Sequence, residues 1–321
     1  MLAIGRHVSK LSGYAPALPT PFSDAGNIDG AAFERICALQ IAHGATALVV
    51  CGTTGEAPTL STEEQRELIR IAVAVSRGQV PVIAGAGSNA TAQAIELSRD
   101  AEANGADAIL SVVPYYNKPT QQGLLAHYRE IAASTGLPVI LYDVPARTAR
   151  GLDDETVMRL AETPRIIGLK DATGDVTRPA RLRPRLGPNF RLLSGDDATA
   201  LPFLAAGGNG CISVTSNVAP GLCRNLFLAW KQGRMAQAQR LAGPVGQLTA
   251  ALFREPNPTP VKYALSLLGL ISAKVRLPMV EPTAETQAEI FAIMTQICEG
   301  YGDAVIGNIL RSRTQQARRI A

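Results

Sequence analysis

Lysine is scarce in this chain. Of its 31 Lys and Arg residues, six are Lys and 25 are Arg, so a Lys placed straight after an apolar run invites a chemical reading. Lys170 is such a residue, in RIIGLKDATG, residues 165–174. Side chains alternate along a strand, which puts Ile166, Gly168 and Lys170 on one face. If that face is an apolar interior, an ammonium at its rim is partly desolvated, and desolvation disfavours the charged form. A neutral amine can attack a ketone, and the resulting Schiff base is an electron sink for carbanion chemistry. The same alternation pairs Ile140 with Tyr142, whose phenol can relay protons during imine formation. The hydroxyls of Thr53 and Thr54 can extend that relay. Arg147 suits bidentate recognition of a substrate carboxylate.

Taken singly, each of these is ordinary. A Lys at a strand end is usually solvated, a lone Tyr is usually a core residue, and GTTG alone is a turn. Their significance comes from shared position. Eight short apolar runs rich in β-branched residues lie at 14–22, 45–52, 80–87, 106–114, 137–145, 165–172, 190–197 and 208–216. Between most of them stand helical patterns such as AAFERICALQIAHG, STEEQRELIRIAVAVSRG and NATAQAIELSRDAEANG, each closing on Gly. STEE reads as a capping box. Alternating strands and helices predict a parallel sheet, and eight such units over about 220 residues predict a closed (β/α)8 barrel. In that α/β fold the active site lies at the C-terminal strand ends. Those ends carry Thr53 and Thr54, then Tyr116, then Tyr142 and Arg147, then Lys170, then Gly195, and finally Ile212. Past residue 220 the strand signal fades into helices. The chain therefore divides into a barrel domain, 1–235, and a helical C-terminal domain, 236–321, with a basic tail (RSRTQQARRIA).

Other classes find little support. A hydrophobic content of 46% with 18% charged residues describes a globular chain with an ample core. A net charge of +4 with no basic cluster interleaved with aromatics argues against nucleic-acid binding. The five cysteines and three histidines lack metal-ligand spacing and form no CxxC pair, which predicts no metal site and no disulfide framework. No apolar run reaches membrane-spanning length, and the N-terminus lacks a signal-type apolar region, which predicts a cytoplasmic protein. VPVIAGAGSNA matches the dinucleotide fingerprint in outline, but it falls on the third strand where that motif belongs on the first.

The motifs together carry a resemblance. GTTGE (52–56), PYYNKPTQQGL (114–124), YDVPART (142–148), GLKDATGD (168–175), LLSGDD (192–197), GGNGCISVTSN (207–217) and EPNPTPVK (255–262) resemble the dihydrodipicolinate synthase (4-hydroxy-tetrahydrodipicolinate synthase) family. That family lies within the pyruvate-dependent class I aldolases and lyases that include N-acetylneuraminate lyase. The resemblance implies condensation of pyruvate with aspartate-4-semialdehyde in lysine and diaminopimelate biosynthesis, without an organic cofactor. It implies that Lys170 forms the Schiff base and that Tyr142, Thr53 and Tyr116 form a proton relay, Tyr116 reaching into a neighbouring subunit's site. It also implies that Thr54 and Ile212 line the pyruvate pocket with Gly195 nearby, that Arg147 holds the second substrate's carboxylate, and that the assembly is a homotetramer of two tight dimers. Asp143 stands where the family usually has Asn, and Asp171 where it usually has Glu. At the allosteric lysine site, Thr62 and Gln93 replace a His and a Glu, while Tyr115 and Asn89 are retained, which predicts weak or absent inhibition by lysine. Another pyruvate-dependent lyase, acting on a keto sugar acid or a hydroxyproline-pathway substrate, is the alternative. A non-catalytic keto-acid-binding barrel is a more distant one.

Overall fold

A barrel strand is covered on both faces, inside by other strands and outside by helices, so it reads as a continuous apolar run. In the computed structural model, which describes residues 11–301 and 305–306, all eight predicted runs overlap a strand. These are β1 (Gly13–Pro16), β2 (Leu48–Val50), β3 (Val82–Gly85), β4 (Ala108–Val112), β5 (Val139–Asp143), β6 (Ile166–Asp171), β7 (Arg191–Ser194) and β8 (Gly210–Ser213). They form one parallel sheet in the order β1-β8-β7-β6-β5-β4-β3-β2. The ring closes between β1 and β2 through a parallel bridge of Ala17 with Val49. There Leu18 N donates to Val49 O at 2.9 Å and Thr46 N to Tyr14 O at 3.0 Å.

The two faces of the wall form two separate cores. Ala15, Val49, Ile83, Leu110, Ile140, Leu193 and Ile212 fill the interior. Tyr14, Leu48, Val82, Ile109, Leu141, Leu169 and Leu192 face outward. The outer layer consists of α1 (Gly30–Ala42), α2 (Thr62–Ser76), α3 (Thr91–Ala103), α4 (Gln121–Ser134), the single turn α5 (Pro145–Thr148), α6 (Asp154–Ala161), α7 (Arg178–Leu186), α8 (Ala200–Ala205) and α9 (Pro220–Lys231). The capping box at α2 forms as expected, with Glu64 N on Ser61 Oγ at 3.2 Å and Ser61 N on Glu64 Oε2 at 2.8 Å. After the barrel come α10 (Met235–Leu252), α11 (Thr259–Leu267) and α12 (Ala284–Tyr301). The basic tail lies outside the described residues. Among those residues no helix is long and apolar enough to cross a membrane.

One expectation fails. Ile166 does not share a face with Lys170. The register of β5 with β6 shifts between Val139, opposite Ile166, and Ile140, opposite Gly168. This irregularity leaves Ile167 as an extra residue. Ile166 therefore packs in the outer core and Ile167 against the inner one. Alternation holds again from Gly168 onward, so Lys170 still arrives inside. The nucleotide-like GAG of β3 has a packing explanation: a Cβ on Gly85 would lie 2.0 Å from Cys51 O.

The helix layer also holds a pH-sensitive group. His127 on α4 is buried, with Nδ1 2.9 Å from Thr91 Oγ1 of α3. Its Nε2 has no partner among the described residues. Burial pushes its pKa down from 6.5 to about 4. The unfolded chain therefore takes up a proton here before the folded chain does, and stability falls as pH drops from 6.5 towards 4. At about 1.4 kcal/mol per pH unit this amounts to roughly 3 kcal/mol across the window and about 2 kcal/mol by pH 5. Urea unfolding at pH 7 and pH 5 should show that loss in the wild type, and His127→Gln should show about 2 kcal/mol less of it.

Candidate active site

β6 delivers Lys170 to the upper rim of the interior. Its Cα pairs with Tyr142 on β5 and with Leu193 on β7. Lys170 is 6% exposed and Tyr142 7%. The amine lies over the face of the Tyr142 ring, with Nζ 4.2 Å from the centroid, an attractive arrangement for a cation. No carboxylate forms a salt bridge with this amine among the described residues. Its two acidic neighbours in sequence and register, Asp171 and Asp143, bind Arg178 instead. Gly195, just past β7, leaves room for the lysine stem. A Cβ there would stand 3.0 Å from Lys170 Cε and 3.1 Å from its Cγ, tighter than most such contacts, so the lysine stem would have to give way. Ile212 of β8, 1% exposed, belongs to the same inner cluster as Tyr142.

Across the ring, four strands from β6, the end of β2 turns through Gly52-Thr53-Thr54-Gly55-Glu56. Cys51 and Glu56 take left-handed φ values of 54° and 56°, which bracket the turn. Thr54 is buried, and its hydroxyl accepts from Asn257 Nδ2 at 3.0 Å. Thr53 is half-buried. Glu56 anchors the turn from below: Oε1 accepts from Lys262 Nζ at 2.7 Å and Oε2 from Arg276 N at 2.9 Å. Both partners belong to the C-terminal region.

Arg147 sits on α5 directly above Tyr142 in sequence. It is exposed and reaches over to donate from Nη2 to Asn257 O at 3.4 Å. One residue of the C-terminal region thus touches both Thr54 and Arg147. Asn257 Oδ1 is buried without a partner among the described residues. Tyr116 stands apart from this group. It is 89% exposed on the loop after β4 and has a left-handed φ of 71°, a conformation a bulky side chain seldom adopts.

Three structural supports escaped the sequence reading. Asn257 lies in EPNPTPVK, a motif with no assigned role. Asp197, in LLSGDD, is buried and shapes the turn after β8, accepting from Ser213 Oγ at 2.5 Å, Val214 N at 2.7 Å and Thr215 N at 3.1 Å. Burial holds its carboxyl above the ordinary range. Arg178 joins Asp143 and Asp171 behind the lysine. Arg-rich RPARLRPRL gave no sign that its first Arg is 3% exposed. Among the described residues no cluster of His, Cys, Asp and Glu has the geometry of a metal site.

A closed (β/α)8 barrel with a lysine buried against a tyrosine at its open mouth has the layout of a barrel enzyme. The chain matches the dihydrodipicolinate synthetase family over residues 10–297. A 4-hydroxy-tetrahydrodipicolinate synthase of Rhodospirillum centenum is 52% identical over 280 residues, covering 87% of this chain and 96% of its own. A chloride-inhibited dihydrodipicolinate synthase from Acinetobacter baumannii, solved with pyruvate, superposes with a TM-score of 0.86 at 42% identity, covering 88% of this chain and 98% of its own. A monomeric dihydrodipicolinate synthase variant superposes with a TM-score of 0.88 at 36% identity, covering 90% and 97%. This chain belongs to the dihydrodipicolinate synthetase family.

Proposed function

We propose that the protein condenses pyruvate with L-aspartate-4-semialdehyde to 4-hydroxy-tetrahydrodipicolinate, as a lyase of lysine and diaminopimelate biosynthesis. The observation that carries this reading is Lys170, an amine at the interior rim over the Tyr142 ring, in a chain of this family. The neutral amine adds to the keto carbon of pyruvate and water leaves, giving an iminium. Loss of a proton from the methyl carbon gives an enamine, with the iminium nitrogen taking the electron pair. The enamine carbon attacks the aldehyde, whose oxygen takes a proton. The second substrate's own amine then displaces Lys170 and closes the ring. The iminium is itself the electron sink, so the reaction draws on no organic cofactor.

In this reading Tyr142, Thr53 and Tyr116 move the protons. Thr54, Ile212 and Gly195 shape the pyruvate end, and Arg147 holds the semialdehyde's carboxylate. Tyr116 is assigned to a neighbouring subunit's site, in a homotetramer built from two tight dimers. Its exposure and unusual backbone support that role, as does half-exposed Tyr115 beside it. The proposed location is the cytoplasm, with the cysteines, four of them buried, read as small core residues of a reducing compartment.

A substrate panel tests the reaction. Pyruvate with aspartate-4-semialdehyde should give product at a kcat/KM at least a hundredfold above that for keto sugar acids or hydroxyproline-pathway substrates offered to the same preparation. A reversed preference would overturn the assignment. Lysine is expected to have little effect. Thr62 and Gln93 carry no charge, and Gln93 Oε1 is already engaged by Ser88 Oγ at 2.6 Å. Half-maximal inhibition by submillimolar lysine would refute that expectation.

A further inference from the structure

Arg178, the first residue of α7, is buried and spends its whole guanidinium on four partners. Nη1 donates to Asp143 Oδ2 at 2.8 Å and to Asp171 Oδ2 at 3.1 Å. Nε donates to Asp154 Oδ1 at 2.9 Å and Nη2 to Leu152 O at 2.5 Å. Asp143 and Asp171 are the residues next after Tyr142 and Lys170, and they pair in register. One planar group thus ties the ends of β5 and β6 to the segment 144–152.

That segment carries Arg147, and it leaves and returns at the same carboxylate. It departs from Asp143, and its last residue comes back with Leu152 N on Asp143 Oδ2 at 3.2 Å. The β5–β6 pairing itself does not depend on the clamp, because the strands share a backbone ladder. The segment has no such ladder. Its other described side-chain anchors are lighter: Gln121 Nε2 on Gly151 O at 2.9 Å, Arg150 Nη2 on Lys118 O at 3.4 Å, and Arg147 on Asn257 O.

We propose that Arg178 is a positioning residue which, through Asp143, Asp171 and Leu152, fixes the distance between the Arg147 carboxylate-binding arm and the Lys170–Tyr142 pair. It would then set how well the acceptor aldehyde is held while leaving pyruvate capture unaffected. Lysine in its place keeps the positive charge between the carboxylates but has no planar fork to serve four acceptors at once. Displacement of a binding group by about 1 Å can cost up to a hundredfold. Asparagine at 143 keeps an acceptor where Oδ2 lies and preserves the clamp.

The test compares wild type, Arg178→Lys and Asp143→Asn, each shown to be folded by its thermal transition. The KM for pyruvate, the KM for aspartate-4-semialdehyde, borohydride-trapped pyruvate adduct, and trypsin cleavage after Arg147 and Arg150 are measured. Arg178→Lys should raise the aldehyde KM about tenfold or more and speed cleavage several-fold. Its pyruvate KM and adduct yield should stay within twofold, and Asp143→Asn should resemble wild type. Unchanged aldehyde KM and cleavage would overturn the proposal. So would a parallel loss of both KM values and of adduct, which would mean general damage to the rim. The KM part rests on the function proposed above, and failure of that function would show in the wild type alone. The cleavage rates would still decide whether Arg178 holds the segment.

Discussion

Lys170→Ala should fold and yet form no borohydride-reducible adduct with pyruvate, and its kcat/KM should fall by about 10⁴-fold or more. The fold should survive because, among the described residues, Lys170 makes no salt bridge that its removal would orphan; its described partner is the Tyr142 ring. Lys170→Arg is the sharper variant. It can keep a cation over that ring, but a guanidinium stays protonated and cannot become the attacking amine. Intact-protein mass spectrometry after pyruvate and borohydride should show one added reduced pyruvate in the wild type and none in either variant. Peptide mapping should place that adduct on residue 170. The chain offers one other buried amine among the described residues, Lys262, but it is fully buried and bonded to Glu56 at 2.7 Å. An adduct that persists in Lys170→Arg would remove Lys170 from the mechanism.

Lys262→Met should cost about 3–5 kcal/mol, the usual price of stranding one member of a buried ion pair. Glu56 would remain 3% exposed with a backbone N–H as its main support. Methionine can still cover the Phe22 ring, over which Lys262 Nζ now sits at 4.1 Å, so the loss reads the charge more than the packing. Pairing it with Glu56→Gln should recover more than half of the loss. Burial, partly offset by Glu56, brings the lysine's pKa down from 10.5 to about 8. The folded chain thus sheds this proton before the unfolded chain does. The wild type should gain stability relative to Lys262→Met as pH rises from 8 towards 10.5. Urea unfolding at pH 7 and pH 9.5 measures both effects. A loss below 1 kcal/mol at pH 7 would show that the pair is dispensable.

The barrel was legible because strands buried on both faces cannot hide their apolar runs, and eight of them alternate with helical patterns. The interior placement of Lys170 was legible from the face it shares with Gly168 in a barrel strand, not from the residue alone, since a lone Lys at a strand end is usually solvated. Ile166 was misread because strict alternation cannot foresee a register irregularity, which depends on the partner strand. Arg178 and Asn257 were out of reach for a different reason. Arg178 finds Asp143 35 residues away, and Asn257 finds Thr54 203 residues away. Contacts at such separations leave no local pattern. The side chains proposed to perform chemistry lie at strand ends and can be found by counting, whereas those that hold them in place are defined only by the closed fold.

That separation of 203 residues has a consequence during synthesis. Ribosomes add about 5–20 residues per second, so Thr54 emerges roughly 10–40 s before Asn257 can join it. Lys262 and Arg276 follow later still. A nascent chain with all eight strands would carry Glu56 at its turn without Lys262 Nζ and Arg276 N, the two C-terminal groups that bind it in the folded protein. The barrel thus leaves the ribosome with an acid awaiting its counter-charge, and translation of the last quarter of the message sets when the catalytic mouth is complete.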